Sequence, residues 1–307
     1  MTLQAEGRAT RSAPAKNEYG RPSGVRTAKN ILAAVLVTIA ALIAIVPLVW
    51  VLITVVTKGL HLVLEPDWWL QSQRGITPRR EGGGAYHAIV GTLLISAITA
   101  LIAVPLGILG AIFLIEYAKG SKIARGVSFM VDILSGVPSI VAALFIYALM
   151  ITVLGFGRSA FAVSLALVLL MLPTVLRSTE EMLKLVPDSL REASYALGVP
   201  KWKTILRIVL PTAFSGIATG VVLGLARVMG ETAPLLILVV YAQGINLNPF
   251  SDTMGALPTM INSGRDQAAS MPGYERVWGA ALTLIIFVML LNLLARGIAR
   301  ASKLKDK

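Results

Sequence analysis

The sequence predicts an all-α membrane protein with six transmembrane helices, and three observations support that prediction. The 307 residues are 56% hydrophobic and only 14% charged, with a mean hydropathy of +0.76, which is typical of polytopic membrane proteins. Six apolar segments reach or approach the length that crosses a bilayer, and basic residues are concentrated in alternate connections. The segments cover residues 31–57, 87–115, 128–154, 160–176, 212–240 and 277–295.

The distribution of Lys and Arg orients the chain. With the N-terminus in the cytosol, cytosolic segments hold 20 of the 28 Lys and Arg residues, external segments hold seven, and Arg227 remains inside an apolar segment. Because basic residues favour the cytosolic side, we expect both termini to be cytosolic. The formal charge of +12 is then a topology signal, and we expect no nucleic-acid partner.

The chain divides into three parts. Residues 1–29 are polar and rich in Ser, Pro, Gly, Arg and Lys, so we expect a disordered cytosolic arm. Residues 30–296 form the six-helix transmembrane domain, and residues 297–307 form a basic cytosolic tail. Two long connections, 58–86 and 241–276, are external on the charge assignment.

The external loops contain aromatic and apolar residues. We expect Trp68 and Trp69 to lie at the membrane–water interface, and likewise His87 at the start of the second span. The loop 241–276 fits either a re-entrant hairpin or a surface hairpin. With no Cys and only two His residues, the sequence predicts no metal site.

The third segment contains a polar stripe. At helical spacing Asp132, Ser135, Gly136 and Ser139 share one face, and Pro138 is expected to kink the helix and free nearby backbone groups. Asp132 could pair with Arg227, line a route across the membrane, or be an acid near the cytosolic helix end.

The cytosolic loop 186–211 has the local signals of a helix–turn–helix. Pro187 stops the preceding helix, and Ser189 with Glu192 has the spacing of a capping box that starts a short helix. Gly198 suits the left-handed position that ends it.

A second short helix is expected over residues 201–209 after Pro200, and Pro211 then opens the fifth segment. Tyr195, Leu197, Val199 and Trp202 are available as an apolar contact surface. From spacing alone, the loop is either an amphipathic connector on the membrane surface or a docking element for a soluble partner.

The fifth segment places an ionisable pair inside the membrane. Gly216, Gly220 and Gly224 form a small-residue stripe suited to close helix packing, and Arg227 and Glu231 continue it at about 100° per residue. The charges are therefore expected to point into the bundle or toward a partner. Such groups cost roughly 2.5–3.5 kcal/mol each on insertion.

Two interpretations of the pair remain open. It could be a self-satisfying i,i+4 ion pair that only holds helices together. Alternatively, Arg227 supplies a positive field for an anion in transit, since a guanidinium matches two oxygens of phosphate or sulfate, and Glu231 orients it. The helix is expected to end near Thr232, because Pro234 removes a backbone hydrogen bond.

The cytosolic loop resembles the permease subunits of ABC importers. Their pattern is E-A-A, three residues, Gly, nine residues, and Ile-x-Leu-Pro, which matches Glu192-Ala193-Ser194, Gly198 and residues 208–211, with Ser194 in place of the second Ala. The resemblance implies a type I importer permease fold whose loop docks on an ATPase subunit through Glu192, Ala193, Ser194, Gly198 and Pro211. The chain has no G-x-x-x-x-G-K-[ST] phosphate loop, so ATP and Mg are expected on the separate ATPase, and this subunit is expected to be non-catalytic.

The blocks LREASYALGVPKWKTILRIVLP, GLARVMGETAPLL, SGVPSIVAALF and RVWGAALTL resemble the PstA-type family of phosphate importer permeases, from about residue 31 onward. The resemblance implies a multi-pass protein of the bacterial cytoplasmic membrane. It also implies a phosphate pathway that includes Arg227, Glu231, Thr232 and Asp132. The expected partners are a PstC-type second permease, two ATPase subunits, an external phosphate-binding protein, phosphate and membrane lipid.

Three rival functions remain. The permease could serve another oxyanion, such as sulfate or molybdate. It could be an ATP-independent anion channel or secondary transporter, or a structural or sensing membrane protein.

Overall fold

The computed structural model describes residues 24–305, the last five by backbone only. The chain divides after Ile53 into two units. The described part of the first unit is the N-terminal portion of helix α1, and the second unit begins at Thr54 within the same helix. In chain order, the helices are α1 (Gly24–Leu64), α2 (Pro66–Leu70), α3 (Tyr86–Ile112), α4 (Lys122–Ser135), α5 (Ser139–Ile146), α6 (Ala160–Leu185), α7 (Asp188–Ala196), α8 (Lys201–Thr204), α9 (Leu210–Met229), α10 (Ala233–Leu238), α11 (Leu257–Gly264) and α12 (Pro272–Lys305).

Three π-helical segments interrupt the α-helical pattern. They extend α3 over Phe113–Tyr117, extend α5 over Tyr147–Val153, and join α8 to α9 over Ile205–Val209. Because a π-turn shifts hydrogen bonding by one residue, it rotates the side chains beyond it relative to those before it.

The predicted all-α class with six apolar segments is confirmed. Five helices of the described chain are long and apolar enough to cross a membrane, and the α4–α5 pair makes a sixth if the bent pair is one span. The expected kink at Pro138 is a 105° bend. Because α4 ends at Ser135 and α5 begins at Ser139, the polar stripe predicted from Asp132 to Ser139 does not lie on one helix.

Helix α6 forms the centre of the second unit, where it packs against α3, α5 and α9. The glycine stripe of α9 faces it, as predicted. A Cβ atom at Gly216 or Gly220 would lie closer than 3.0 Å to side-chain atoms of Met182 and Ser178 of α6. Close approach of the two backbones therefore depends on those glycines.

Two predicted boundaries differ at the fifth segment. The helical span runs without a break from Lys201 to Met229, so Pro211 does not open a new helix. It lies two residues after the π-helical segment Ile205–Val209, where the shifted hydrogen bonding accommodates a residue that has no N–H. The short second helix of the cytosolic loop is thus the beginning of the spanning helix itself.

The loop after α10 contains a short, largely buried helix. Helix α11 packs against α3 and α12, and Leu257 at its start donates its N–H to Thr92 Oγ1 at 2.8 Å. The loop is therefore not an open surface hairpin, because its helix belongs to the core of this end of the molecule. The re-entrant form stays a prediction.

Two interfacial predictions are wrong. Trp68 is 1% exposed, and its Nε1 donates to Thr283 Oγ1 at 2.9 Å. His87 is 2% exposed and contacts the Tyr241 hydroxyl at 3.3 Å through Nε2. Both side chains are buried against residues that are distant in sequence, and no local pattern indicates such contacts.

The ends of the chain differ from the predicted domain limits. Helix α1 begins at Gly24, six residues before the predicted start of the transmembrane domain at residue 30. The arm predicted to be disordered covers residues 1–29, of which residues 24–29 are helical and residues 1–23 lie outside the described residues. Helix α12 continues to Lys305, so most of the predicted basic tail extends the last helix.

Candidate functional site

The predicted charge pair lies at a break between two helices. Helix α9 ends at Met229, and Gly230 closes it by donating its N–H to the Arg227 carbonyl at 3.2 Å. Glu231 and Thr232 then lie in the short connection before α10 begins at Ala233. The helix therefore ends three residues earlier than Thr232, and the break follows the arginine directly.

The Arg227 guanidinium is only loosely held. Its Nε lies 3.9 Å from Glu231 Oε1, the Arg227 side chain is 61% exposed, and the Glu231 side chain is 19% exposed. A charge-assisted hydrogen bond is about 2.7–2.9 Å long, so the 3.9 Å contact with Glu231 is too long to be one. Within the described residues, the Arg227 side chain makes no hydrogen bond. The guanidinium thus remains free to bind oxygen atoms of a ligand.

Asp132 does not pair with Arg227. It forms an ion pair with Arg177 of α6, which also donates to Glu180 Oε2 at 2.6 Å and to the Ser128 carbonyl at 3.1 Å. Glu180 in turn accepts from Lys184 Nζ at 2.8 Å. These groups link α4 to α6.

From the sequence alone, Arg177 is only one of the cytosolic basic residues that orient the chain. Its i,i+3 spacing to Glu180 could have indicated an ion pair, but the 45 residues that separate it from Asp132 hide that partner. The pathway role predicted for Asp132 stays a prediction.

The cytosolic loop forms the predicted helix–turn–helix, here called the coupling hairpin (residues 186–211). Helices α7 and α8 are joined at Gly198, whose φ of +74° is the predicted left-handed position. Ser194 and Thr204 share a buried hydroxyl hydrogen bond of 2.8 Å. The serine that departs from the family pattern therefore ties the two helices together.

The capping box predicted for this hairpin is wrong. Helix α7 begins at Asp188, and its N-cap is Pro187, which makes no side-chain cap. Ser189 lies inside the helix, two positions beyond the N-cap, so it cannot form the predicted box with Glu192. Pro187 occupies the N-cap position itself, with a φ of −59°.

A buried ion pair fastens the coupling hairpin to the end of α3. Arg191 of α7 donates to Glu116 Oε1 from Nη2 at 2.9 Å and from Nε at 3.1 Å. The two side chains are 12% and 5% exposed. Lys201 of α8 donates to the Glu116 carbonyl and lies 5.0 Å above the Tyr117 ring.

Arg191 also closes the preceding turn. It donates to the carbonyls of Val186 at 2.7 Å and Leu183 at 3.0 Å, which are the unsatisfied acceptors of the α6 C-terminus. One side chain thus joins α3, α6 and the hairpin. No local sequence pattern indicates this contact, because Glu116 and Arg191 are 75 positions apart.

The coupling hairpin also exposes apolar side chains. Leu197 is 83% exposed, Trp202 58% and Tyr195 41%, and Glu192 and Ala193 are exposed as well. An apolar patch rimmed by polar residues is typical of a protein contact. Ser194 is buried inside the hairpin, so its predicted contact with an ATPase can only be indirect.

Within the part of the chain that the structure describes, no cluster of His, Cys, Asp or Glu could hold a metal ion. The arrangement instead places a loosely paired, exposed guanidinium at a helix break and an exposed apolar face beside the start of the same spanning helix. Such an arrangement can bind an anion and receive motion from a partner.

Known proteins resemble this chain over most of its length. Residues 103–303 match the family described as "Binding-protein-dependent transport system inner membrane component". A phosphate transport system permease protein PstA of Mycobacterium leprae (strain TN) is 54% identical over 281 residues, which are 91% of this chain and 92% of the relative. The PstA protein of Yersinia pestis is 40% identical over 281 residues, with coverage of 91% and 92%.

Solved structures share the fold at low sequence identity. The inward-facing MetNI methionine ABC transporter matches with a TM-score of 0.53 at 21% identity, over 71% of this chain and 94% of that chain. A bacterial ABC transporter involved in the import of alginate matches with a TM-score of 0.56 at 18% identity, over 90% and 99%.

Proposed function

The chain belongs to the PstA family of binding-protein-dependent inner-membrane transport components, and from this premise we propose that it is a permease subunit of an ATP-driven importer of inorganic phosphate. It forms half of the translocation pathway beside a second permease subunit. The observation that supports this role most directly is the free Arg227 guanidinium at the break between α9 and α10.

Arg227 would meet the substrate in the membrane. A guanidinium has five N–H donors in a planar fork that fits two oxygens of a tetrahedral anion, and Glu231 at 3.9 Å weakens the local positive field. This balance favours brief rather than tight binding, which a transport pathway needs. Thr232, in the same connection, adds a hydroxyl beside the pair.

Motion would come from a separate ATPase. The exposed face of the coupling hairpin docks on it, and the unbroken helix from Lys201 to Met229 moves the Arg227 end when the hairpin moves. The Arg191–Glu116 pair moves the end of α3 with the same hairpin. Two packed helices thus respond to one docking surface.

The remaining parts follow from the family. We propose that two ATPase subunits bind ATP and Mg, that an external phosphate-binding protein delivers the substrate, and that this subunit catalyses no reaction itself. Both termini lie in the cytosol, and the protein spans the bacterial cytoplasmic membrane surrounded by lipid.

Uptake by the reconstituted importer tests the proposal. Arg227→Ala should abolish phosphate uptake while the complex still assembles, and Arg227→Lys should retain part of it. Arg265→Ala is the matched control, because it removes an exposed arginine of the external loop. Normal phosphate uptake by Arg227→Ala would refute the role of the guanidinium. If the wild type took up sulfate in place of phosphate, the substrate would be another oxyanion. Transport by the chain without its ATPase would indicate a channel or secondary transporter.

A further inference from the structure

A polar cavity of about 470 Å³ lies at the end of the molecule where the two predicted external loops meet. Its volume falls in the range of about 300–1,000 Å³ that is typical of small-molecule sites. It is separate from Arg227 and from the coupling hairpin. The polar side chains that line it are Gln73, Tyr241, Gln243, Ser263, Gln267 and Arg276.

The cavity contains a buried cation. Arg276, in the first turns of α12, is 6% exposed. It donates from Nη1 to the carbonyls of Arg80 and Gly82, both at 2.9 Å, and from Nη2 to the carbonyl of Thr77 at 3.0 Å. These bonds use three of its five N–H groups.

No ion pair found among residues 24–300 involves Arg276. Carbonyl dipoles solvate a guanidinium but do not cancel its charge, and a buried charge without a counter-ion is costly. An anion in the cavity would supply the missing negative charge and accept the remaining N–H groups.

A second polar group in the cavity has no partner. Gln267 Oε1 is buried and accepts no hydrogen bond within the described structure. A lone acceptor requires a donor, and a bare anion has none to give. Near neutral pH, inorganic phosphate keeps at least one P–O–H group, whereas sulfate has lost every proton.

We propose that this cavity is a loading site for hydrogen phosphate on the external side of the permease, where Arg276 binds phosphate oxygens and Gln267 accepts the P–O–H proton in a hydrogen bond. The inference rests on the proposed function, because it names a second position for the same substrate. It also gives the permease its own preference for a protonated tetrahedral anion.

Equilibrium binding of radiolabelled phosphate to the purified importer, without its external binding protein, tests this site. The wild type should bind phosphate, and Gln267→Glu should weaken binding at least tenfold, because a carboxylate neutralises Arg276 and repels the anion. A change at Arg276 would remove its three hydrogen bonds to loop carbonyls and could unfold the loop. Gln267→Glu leaves Arg276 in place and avoids that complication. Gln267→Met should lower the preference for phosphate over sulfate. Arg265→Gln, at an exposed position near the cavity, should bind as the wild type does.

Arg227→Ala separates the two sites. It should bind phosphate at the cavity while uptake is lost. If the wild type imports phosphate but Gln267→Glu binds it normally, the loading site is refuted and the proposed function stands. If the wild type imports sulfate in place of phosphate, the proposed function fails and the inference fails with it.

Discussion

Replacing Arg191 by Met should uncouple ATP hydrolysis from transport. The substitution keeps a long side chain but removes the partner of Glu116, which is 5% exposed. Breaking a buried ion pair by removing one member costs about 3–5 kcal/mol. At about 1.4 kcal/mol per tenfold, the equilibrium between the attached and detached hairpin would shift by roughly 140- to 3,700-fold.

The assay compares phosphate uptake with ATP hydrolysis in proteoliposomes that contain the whole importer. We expect Arg191→Met to keep most of its ATPase activity and to lose most of its uptake per ATP, because the hairpin moves without pulling α3. The double variant Glu116→Met with Arg191→Met should recover part of the coupling, since it leaves no unpaired charge buried. Lys119→Met, at an exposed residue near the same helix end, is the control for loss of a positive charge.

Two results would refute this reasoning. One is an Arg191→Met importer with normal uptake per ATP. The other is a double variant that is no better coupled than the single one, because the defect would then not arise from an unpaired buried carboxylate.

The remaining predictions concern glycines. Gly198→Asp should uncouple the importer more than Gly198→Ala. Both substitutions strain the +74° backbone position, but only Asp adds a charge to the docking surface. Equal ATPase and uptake defects in the two variants would contradict a docking role. Gly220→Val should destabilise the α6–α9 packing by about 1–3 kcal/mol, because the valine side chain would overlap Ser178. An unchanged melting temperature of the purified chain would show that the helices can separate there at no cost.

Local chemistry made much of the fold predictable. The apolar segments, the bend at Pro138, the left-handed Gly198 and the close packing of the α9 glycines all depend on residues within a few positions of each other, or on a helix period. Their physical causes are short-range, so the sequence displays them directly.

Contacts between distant residues were not predictable. The Glu116 partner of Arg191, the Asp132 partner of Arg177 and the burial of Trp68 each arise from packing across at least 45 residues of chain. The role of Pro211 was misjudged for a related reason, because a π-helical segment can absorb the missing N–H and continue the helix. The anion-binding role of Arg227 stays a prediction.

The most direct test of the account asks whether residue 227 faces water. The natural chain contains no cysteine, so Arg227→Cys introduces its single thiol. A water-soluble aminoethyl thiosulfonate should modify that thiol, and the attached ammonium should restore part of the phosphate uptake. If the thiol reacts only with membrane-permeant reagents, or if modification leaves uptake absent, the guanidinium does not line an aqueous anion pathway and the account is contradicted.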